Sequence, residues 1–128
     1  MFTLSDKSLQ RREGVDLRLI DVCDLALKIS IIDYGIPGDG GVRTAERQHE
    51  LFLDGKSKAD GYKNESKHQR GMALDFYAYV DGKASWDELH LALVGAAFLQ
   101  AASILKHRLS WGGNFKPNGW DKPHVELY

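Results

Sequence analysis

The segment from Ser66 to Val80 reads SKHQRGMALDFYAYV, and its second half carries the clearest strand pattern in the chain. Successive side chains from residue 72 to residue 80 fall on alternate faces with the two-residue period of a β-strand. One face is apolar throughout and consists of Met72, Leu74, Phe76, Ala78 and Val80. We therefore predict a single strand over residues 72–80 that packs on the core, followed by a hairpin turn at Asp81-Gly82.

Helical patterns lie on both sides of this strand. A short helix is predicted over residues 5–12, and apolar side chains recur at helical spacing over residues 15–30. Thr44 suits the N-cap of a further helix that ends near residue 53, and the polar residues 56–70 predict a long loop. A capping box at Ser85 and Glu88 predicts a long helix to about residue 106. The side chains expected to pack that helix on the sheet are Leu89, Leu93, Ala96, Ala97, Leu99 and Ile104.

Two short strands, over residues 109–111 and 124–127, complete the pattern. Helices come first, and the strand, the long helix and the short strands follow. This order predicts an α+β fold with helices on one face of a small antiparallel sheet. A chain of 128 residues is expected to form one domain, residues 1–128.

Composition narrows the functional classes. Lys and Arg number 17 and Asp and Glu 18, so the net charge of -1 argues against a nucleic-acid-binding protein. The single cysteine, Cys23, rules out an internal disulfide and is expected in the core of the first long helix. The N-terminal residues lack a secretory pattern, and no run approaches ~18 apolar residues. We expect no integral membrane segment and retention in the cytoplasm where the chain is made.

His68, Asp75 and His124 offer two imidazoles and one carboxylate, the donors that zinc takes in hydrolytic sites. Three protein ligands leave one coordination position open for chemistry. Gly71 can bend the chain between His68 and Asp75, and Pro123 predicts a turn that opens the last strand at His124. Asp121 would then lie beside the ion as a general base.

Spacing alone leaves this metal site and a purely structural arrangement about equally supported. Asp-x-x-His and His-x6-Asp both occur in proteins without any metal. The carboxylate of Asp75, within an otherwise apolar strand, is the less ordinary feature because a buried carboxylate needs a partner. His49-Glu50 begins like the His-Glu-x-x-His zinc motif, but Leu53 occupies the second histidine position, so that interpretation fails.

Taken together, Ser66-x-His68-x-x-Gly71-x-Ala73-x-Asp75 and Asp121-x-x-His124 resemble the single-zinc peptidoglycan peptidases. That group includes D-Ala-D-Ala carboxypeptidases and dipeptidases and the L-alanyl-D-glutamate endopeptidases of phages. Residues 41–44 resemble the family segment that carries a substrate-side arginine. The resemblance implies a fold like that of hedgehog and DD-peptidase domains, and it covers the chain from about residue 40 to the end.

The resemblance implies one zinc ion per chain, bound by His68, Asp75 and His124. It implies that Asp121 is the catalytic acidic residue and that Arg43 stabilises the oxyanion. Ser66 is expected near the substrate, and Trp120 is expected to flank the cleft. Lys58, Lys63 and Lys67 either attract the carboxylates of stem peptides or are simply solvated.

The short chain and the missing export signal favour a compact phage endolysin that acts on the peptidoglycan stem peptide as a monomer. Such an enzyme is made in the host cytoplasm and reaches the periplasmic cell wall after release by another factor. Two alternatives stay open at this point. One is a D-Ala-D-Ala carboxypeptidase or dipeptidase of the same fold, and the other is a non-catalytic zinc-binding module.

Overall fold

The computed structural model describes residues 2–128 and has the predicted α+β composition. The α-helices are α1 (Asp6–Arg11), α2 (Leu17–Ile29), α3 (Ala45–Leu53) and α4 (Glu88–Leu105). The strands are β1 (Asp33–Gly35), β2 (Ala73–Asp75), β3 (Tyr77–Val80), β4 (Lys83–Ser85), β5 (Leu109–Trp111) and β6 (His124–Leu127). They form two antiparallel three-stranded sheets, in the orders β1-β3-β4 and β2-β6-β5.

The strand expected over residues 72–80 is divided at Phe76, so the prediction of one continuous strand is wrong. The Phe76 amide donates to the Pro123 carbonyl at 2.8 Å, and the Asp75 amide donates to the Gly40 carbonyl at 2.8 Å. These contacts redirect the backbone, and β2 and β3 consequently pair in different sheets. The predicted apolar face is nevertheless correct, because Leu74, Phe76 and Ala78 are fully buried.

Helix α4 begins two residues later than its predicted capping box. Asp87 is the N-cap, with its side chain accepting from the Leu89 amide, whereas Ser85 lies in β4 and its hydroxyl bonds the ring of His90. Of the predicted inward face only Ala97 is buried, whereas Leu93 and Leu99 are half-buried and Leu89, Ala96 and Ile104 are exposed. The face that packs inward consists of Leu91, Val94, Gly95, Ala97, Phe98, Ala101 and Ala102. A helix apolar on all sides gives the sequence little basis for choosing its inward stripe.

The same composition makes α4 long and apolar enough to cross a membrane, with a mean hydropathy of 1.6. A core helix of a globular protein meets that criterion equally well. In this structure α4 packs against α2 and against strands of both sheets. The core between them includes Cys23, as predicted, and the Cys23 carbonyl accepts a 2.7 Å hydrogen bond from the Tyr34 hydroxyl.

The polar stretch 56–70 is a loop only as far as Ser66. Residues Lys67–Arg70 form a 3-10 helix, because the Ser66 hydroxyl and the Gln69 side chain cap its N-terminus reciprocally. Gly71 ends this helix with a φ of 70°, a left-handed conformation that glycine adopts without strain. The predicted bend at Gly71 is therefore confirmed, and it delivers the chain directly into β2.

Gly95 on α4 faces the indole of Trp111, whose N–H donates to the Lys122 carbonyl at 2.7 Å. A methyl group at position 95 would overlap that ring. Gly95→Ala should therefore destabilise the fold by about 1–2 kcal/mol, because overpacking outweighs the gain of ~1 kcal/mol in helix propensity. Denaturant unfolding measures the change, and Gln100→Ala on the exposed side of α4 is the control. An unchanged or raised stability of Gly95→Ala would contradict this packing.

Candidate metal centre

Three donor side chains converge on one point between the 3-10 helix, β2 and β6. The Asp75 Oδ1 atom lies 2.9 Å from His124 Nδ1 and 3.3 Å from His68 Nε2. Ligand atoms of the three residues all lie within 4.8 Å of one another, a cluster that can hold a metal ion. The two imidazole nitrogens and one carboxylate oxygen match the three-ligand donor set of catalytic zinc sites.

Strand pairing brings two of these donors together. Asp75 and His124 are direct partners in the antiparallel register of β2 and β6. Directly opposed side chains project from the same face of a sheet with Cβ atoms about 4.5–5.5 Å apart. The turn expected over residues 121–123 is present, and His124 is the first residue of β6. The predicted opening of the last strand at His124 is thus confirmed.

The third donor, His68, is held by the backbone. Its Nδ1 atom lies 2.9 Å from the Gly41 carbonyl oxygen. A carbonyl can only accept, so Nδ1 donates to Gly41, and Nε2 is the nitrogen that faces Asp75 and can bind an ion. His68 is only 3% exposed. The bond from Nδ1 to Gly41 holds the ring in the orientation that a metal-binding histidine needs.

Arg43 holds the far side of the Asp75 carboxylate. Its Nη2 atom lies 3.1 Å from Asp75 Oδ2, while Nη1 donates to the side chain of Gln48 at 3.1 Å. Gln48 is fully buried and donates in turn to Ser57 and to the Ala59 carbonyl. The guanidinium is therefore fixed, and Asp75 can present Oδ1 to an ion while Oδ2 stays neutralised.

Asp121 lies at the edge of the cluster, with Oδ2 3.8 Å from His124 Nδ1. Its backbone passes against Gly112, where any side chain would overlap the Asp121 carbonyl. Burial raises the pKa of the Asp121 carboxyl above its ordinary value, and the nearby charge of Asp75 adds to the rise. A raised pKa makes a carboxylate a better proton acceptor, which is the property that a general base needs.

Hydrogen bonding outweighs burial in setting the pKa values of Asp75 and His124. Burial alone would raise the pKa of Asp75, but hydrogen bonds from His124 and His68 hold it below its ordinary value. Burial alone would lower the pKa of His124, but its bonds to Asp75 and Glu126 raise it to about 9. A cation bound here would take the place of these protons, because metal ligands must be deprotonated.

An open cleft of about 530 Å³ leads to the centre. Of the residues predicted from sequence, Ser66, Lys58, Lys67 and Trp120 line it, whereas Lys63 lines a separate depression. The Ser66 hydroxyl also accepts from the His68 amide at 3.2 Å, so it helps to position that ligand. Lys58 lies 5.8 Å from the centre of the Trp120 ring.

Three residues of the site were not identified from the sequence. Lys56 lines the cleft beside Lys58, and Gln48 supports Arg43. Glu126 accepts from the outer nitrogen of His124 at 2.8 Å. Only Glu126 had a usable signal, because residues two apart on a strand share a face with each other. The positions of Lys56 and Gln48 in the site depend on the tertiary packing of a loop and a helix, which no local sequence pattern predicts.

The family model of the phage L-alanyl-D-glutamate peptidases matches residues 1–127. The chain belongs to this family. The L-alanyl-D-glutamate peptidase of Escherichia phage T5 is 30% identical over 137 residues, covering 98% of both chains. The crystal structure of the L-Ala D-Glu endopeptidase ChiX of Serratia marcescens matches with a TM-score of 0.85 and 29% identity, covering 98% of this chain and 90% of that one.

Membership of the phage L-alanyl-D-glutamate peptidase family confirms the resemblance drawn from the motifs. It also agrees with the α+β fold, since the Serratia enzyme superimposes over nearly the whole chain. The family assignment rests on the match over residues 1–127 and on the similarity of the fold. The three-residue cluster is an independent observation, because it follows from side-chain positions alone.

His68→Ala should abolish stoichiometric metal binding, because it removes one of three donors and leaves a pair too weak to retain the ion. Metal content after gel filtration, measured by atomic emission, tests this. His107→Ala is the matched control, since His107 lies outside the cluster. A His68→Ala protein that keeps one tightly bound ion per chain would assign the ligands elsewhere.

Proposed function

We propose that this chain is a zinc-dependent endopeptidase that hydrolyses the L-Ala–D-Glu bond of peptidoglycan stem peptides. The convergence of His68, Asp75 and His124 at the base of an open cleft carries the proposal. The matched relatives named for cleaving this bond supply the substrate class. Asp121 beside the cluster favours a catalytic role over a non-catalytic zinc-binding module.

The donor set fits one zinc ion. Each of the three side chains has its remaining polar atom fixed: His68 by the Gly41 carbonyl, Asp75 by Arg43, and His124 by Glu126. Such outer contacts are typical of zinc sites. When bound, zinc polarises the amide carbonyl and lowers the pKa of a coordinated water.

Asp121 and Arg43 supply the remaining chemistry. Asp121 accepts a proton from the attacking water and then delivers it to the amine that leaves when the C–N bond breaks. Three N–H groups of Arg43 donate to the Asp39 carbonyl and to the side chains of Gln48 and Asp75. A guanidinium has five, so two remain for the oxyanion formed at the carbonyl carbon. Ser66 and Trp120 contact the substrate from the walls of the cleft.

The biological setting follows from the same proposal. The chain forms a single domain, residues 1–128, and acts as a monomer without nucleic acid. It accumulates in the host cytoplasm and reaches the periplasmic cell wall when another factor permeabilises the membrane. Hydrolysis of the stem peptide there weakens the wall and lyses the host.

The scissile bond is tested with a defined disaccharide-tetrapeptide from Gram-negative peptidoglycan. The proposal predicts a disaccharide that retains L-Ala and a tripeptide with a new D-Glu amine, both identified by mass spectrometry. A chelator should stop the reaction, and added Zn²⁺ should restore it. Because a D-Ala-D-Ala carboxypeptidase requires a pentapeptide, the matching disaccharide-pentapeptide is assayed in parallel. Release of D-Ala from it, with the L-Ala–D-Glu bond intact, would contradict the proposal.

Asp121→Asn should lower kcat by about 10²–10⁴-fold, because the amide cannot shuttle a proton. The bound metal should stay at wild-type stoichiometry, since Asp121 lies outside the three-residue cluster. Steady-state kinetics and metal analysis on the same preparation measure both quantities. Asp21→Asn, on the exposed side of α2, is the matched control. A zinc-loaded Asp121→Asn enzyme with near wild-type kcat would remove Asp121 as the base.

A further inference from the structure

A second groove adjoins the cleft at Trp120. It encloses about 340 Å³, and its lining includes Trp86, Glu88, Asn118, Trp120 and Lys122. We call it the tryptophan groove. Trp120 lines both depressions, so a ligand that follows the cleft past this side chain enters the groove.

Both indoles of the groove are exposed and held in place. Trp86 is 54% exposed and Trp120 58%, although tryptophan is highly buried on average. The Trp86 ring lies 5.9 Å from the ring of Tyr77. The Trp120 ring lies 5.6 Å from that of Phe115, and its N–H donates to the Lys116 carbonyl at 3.1 Å. Trp120 is thus held by a hydrogen bond and a ring contact, Trp86 packs on one ring, and both present an aromatic face to solvent.

The charges on the two sides of Trp120 differ. In the tryptophan groove, Lys122 Nζ lies 3.7 Å from Glu88 Oε1, so the two charges offset one another. In the cleft, Lys56 and Lys58 make no ion pair within the described residues 2–128. Neither lysine lines the groove. A ligand spanning Trp120 therefore meets a neutral aromatic surface on one side and a cationic wall on the other.

We propose that the tryptophan groove binds the N-acetylated sugar to which the stem peptide is attached; this rests on the proposed function. In peptidoglycan the L-Ala amine is acylated by the lactyl group of the sugar, so a neutral glycan lies one residue from the scissile bond. The D-Glu on the other side carries a free carboxylate. The apolar faces of a pyranose pack on indole rings, and the Asn118 amide suits an acetamido group. Lys56 and Lys58 face the anionic peptide.

Two substrates test this orientation: a disaccharide-tetrapeptide and the same tetrapeptide without sugar. Trp86→Ala should raise KM about fivefold or more for the first and leave KM for the second unchanged. Trp86→Phe should restore most of the loss. Ile104→Ala is the control, because Ile104 has the same exposed fraction of 54% at the other end of α4. Calorimetric binding of both ligands to the Asp121→Asn protein gives the comparison without turnover.

An equal effect of Trp86→Ala on both ligands, or none on either, would overturn the glycan site. The proposed function is tested independently of the glycan site. A wild-type protein that binds the disaccharide-tetrapeptide without cleaving the L-Ala–D-Glu bond refutes the peptidase assignment, while the groove is still judged by the binding difference.

A chain of polar contacts begins at the nitrogen of His124 that faces away from Asp75. Glu126 Oε1 lies 2.8 Å from His124 Nε2, and Glu126 Oε2 lies 3.1 Å from Lys67 Nζ. Lys67 Nζ also donates to the Leu127 carbonyl. The Glu126 side chain is 21% exposed, and Lys67 belongs to the 3-10 helix that carries His68. This chain of contacts therefore joins the elements that supply two of the three donors.

We infer that Glu126 is a positioning residue for the metal centre. A carboxylate accepts only, so His124 donates from Nε2 to Glu126, and Nδ1, which faces Asp75, is the nitrogen that can bind an ion. Lys67 Nζ binds the other oxygen of the Glu126 carboxylate and so holds that side chain in place. The arrangement mirrors the Gly41 carbonyl at His68, and each imidazole is thus held by one acceptor.

Zinc affinity, measured by competition with a chromophoric chelator, tests this role without reference to activity. Glu126→Ala should weaken binding about 10–100-fold. Glu126→Gln should retain most of the affinity, because its amide oxygen still accepts from Nε2. Glu65→Ala, which removes the exposed ion pair with Arg70, is the control. The melting temperature of each metal-free protein separates positioning from general destabilisation.

Wild-type zinc affinity in Glu126→Ala would overturn the assignment. So would a Glu126→Gln protein that loses as much affinity as Glu126→Ala, because the hydrogen bond would then not be what orients the ring.

Discussion

The convergence of His68 and His124 on the Asp75 Oδ1 atom is the constraint on which the rest of the site depends. Asp75 and His124 meet because they are register partners in β2 and β6, and His68 arrives from a 3-10 helix that ends at Gly71. A buried carboxylate is tolerated only with partners. Without an ion, the two histidines and Arg43 supply those partners; with an ion, the same geometry supplies ligands.

The fold maintains this convergence by fixing, in each donor side chain, the polar atom that faces away from the metal centre. A backbone carbonyl orients His68, a carboxylate orients His124, and a guanidinium backed by the buried Gln48 holds Asp75. Large hydrophobic residues on α2 and α4 pack with residues of the strands in one hydrophobic core. Trp111 links α4 to the loop before β6 through the Lys122 carbonyl. The loop that carries Asp121 is therefore tied to the core.

How much the sequence could predict depended on how local each signal was. The helix N-cap at Thr44, the hairpin at Asp81-Gly82 and the strands over 109–111 and 124–127 rest on neighbouring residues, and the structure has them all. The break at Phe76 depends on hydrogen bonds to the distant residues 40 and 123, so alternation alone predicted one strand. The inward face of α4 was missed because apolar residues surround that helix.

The same distinction between local signals and distant contacts applies to the residues of the site. The motif spacing selected His68, Asp75, His124 and Asp121, and the structure brings these four side chains together. The contacts of Arg43 with Asp75 and Gln48 join residues far apart in sequence, and nothing in the local pattern indicates them. Lys67 was expected either to attract the substrate or to be solvated, whereas its ammonium group binds Glu126 and the Leu127 carbonyl.

The convergence of the three donors is tested most directly by an anomalous diffraction map, recorded at the zinc absorption edge, from crystals of the zinc-loaded protein. We expect one peak, about 2.0–2.2 Å from His68 Nε2, Asp75 Oδ1 and His124 Nδ1, with a fourth position open to the cleft. A peak that lacks any one of these three contacts, or no peak in protein that metal analysis shows to be loaded, would contradict it.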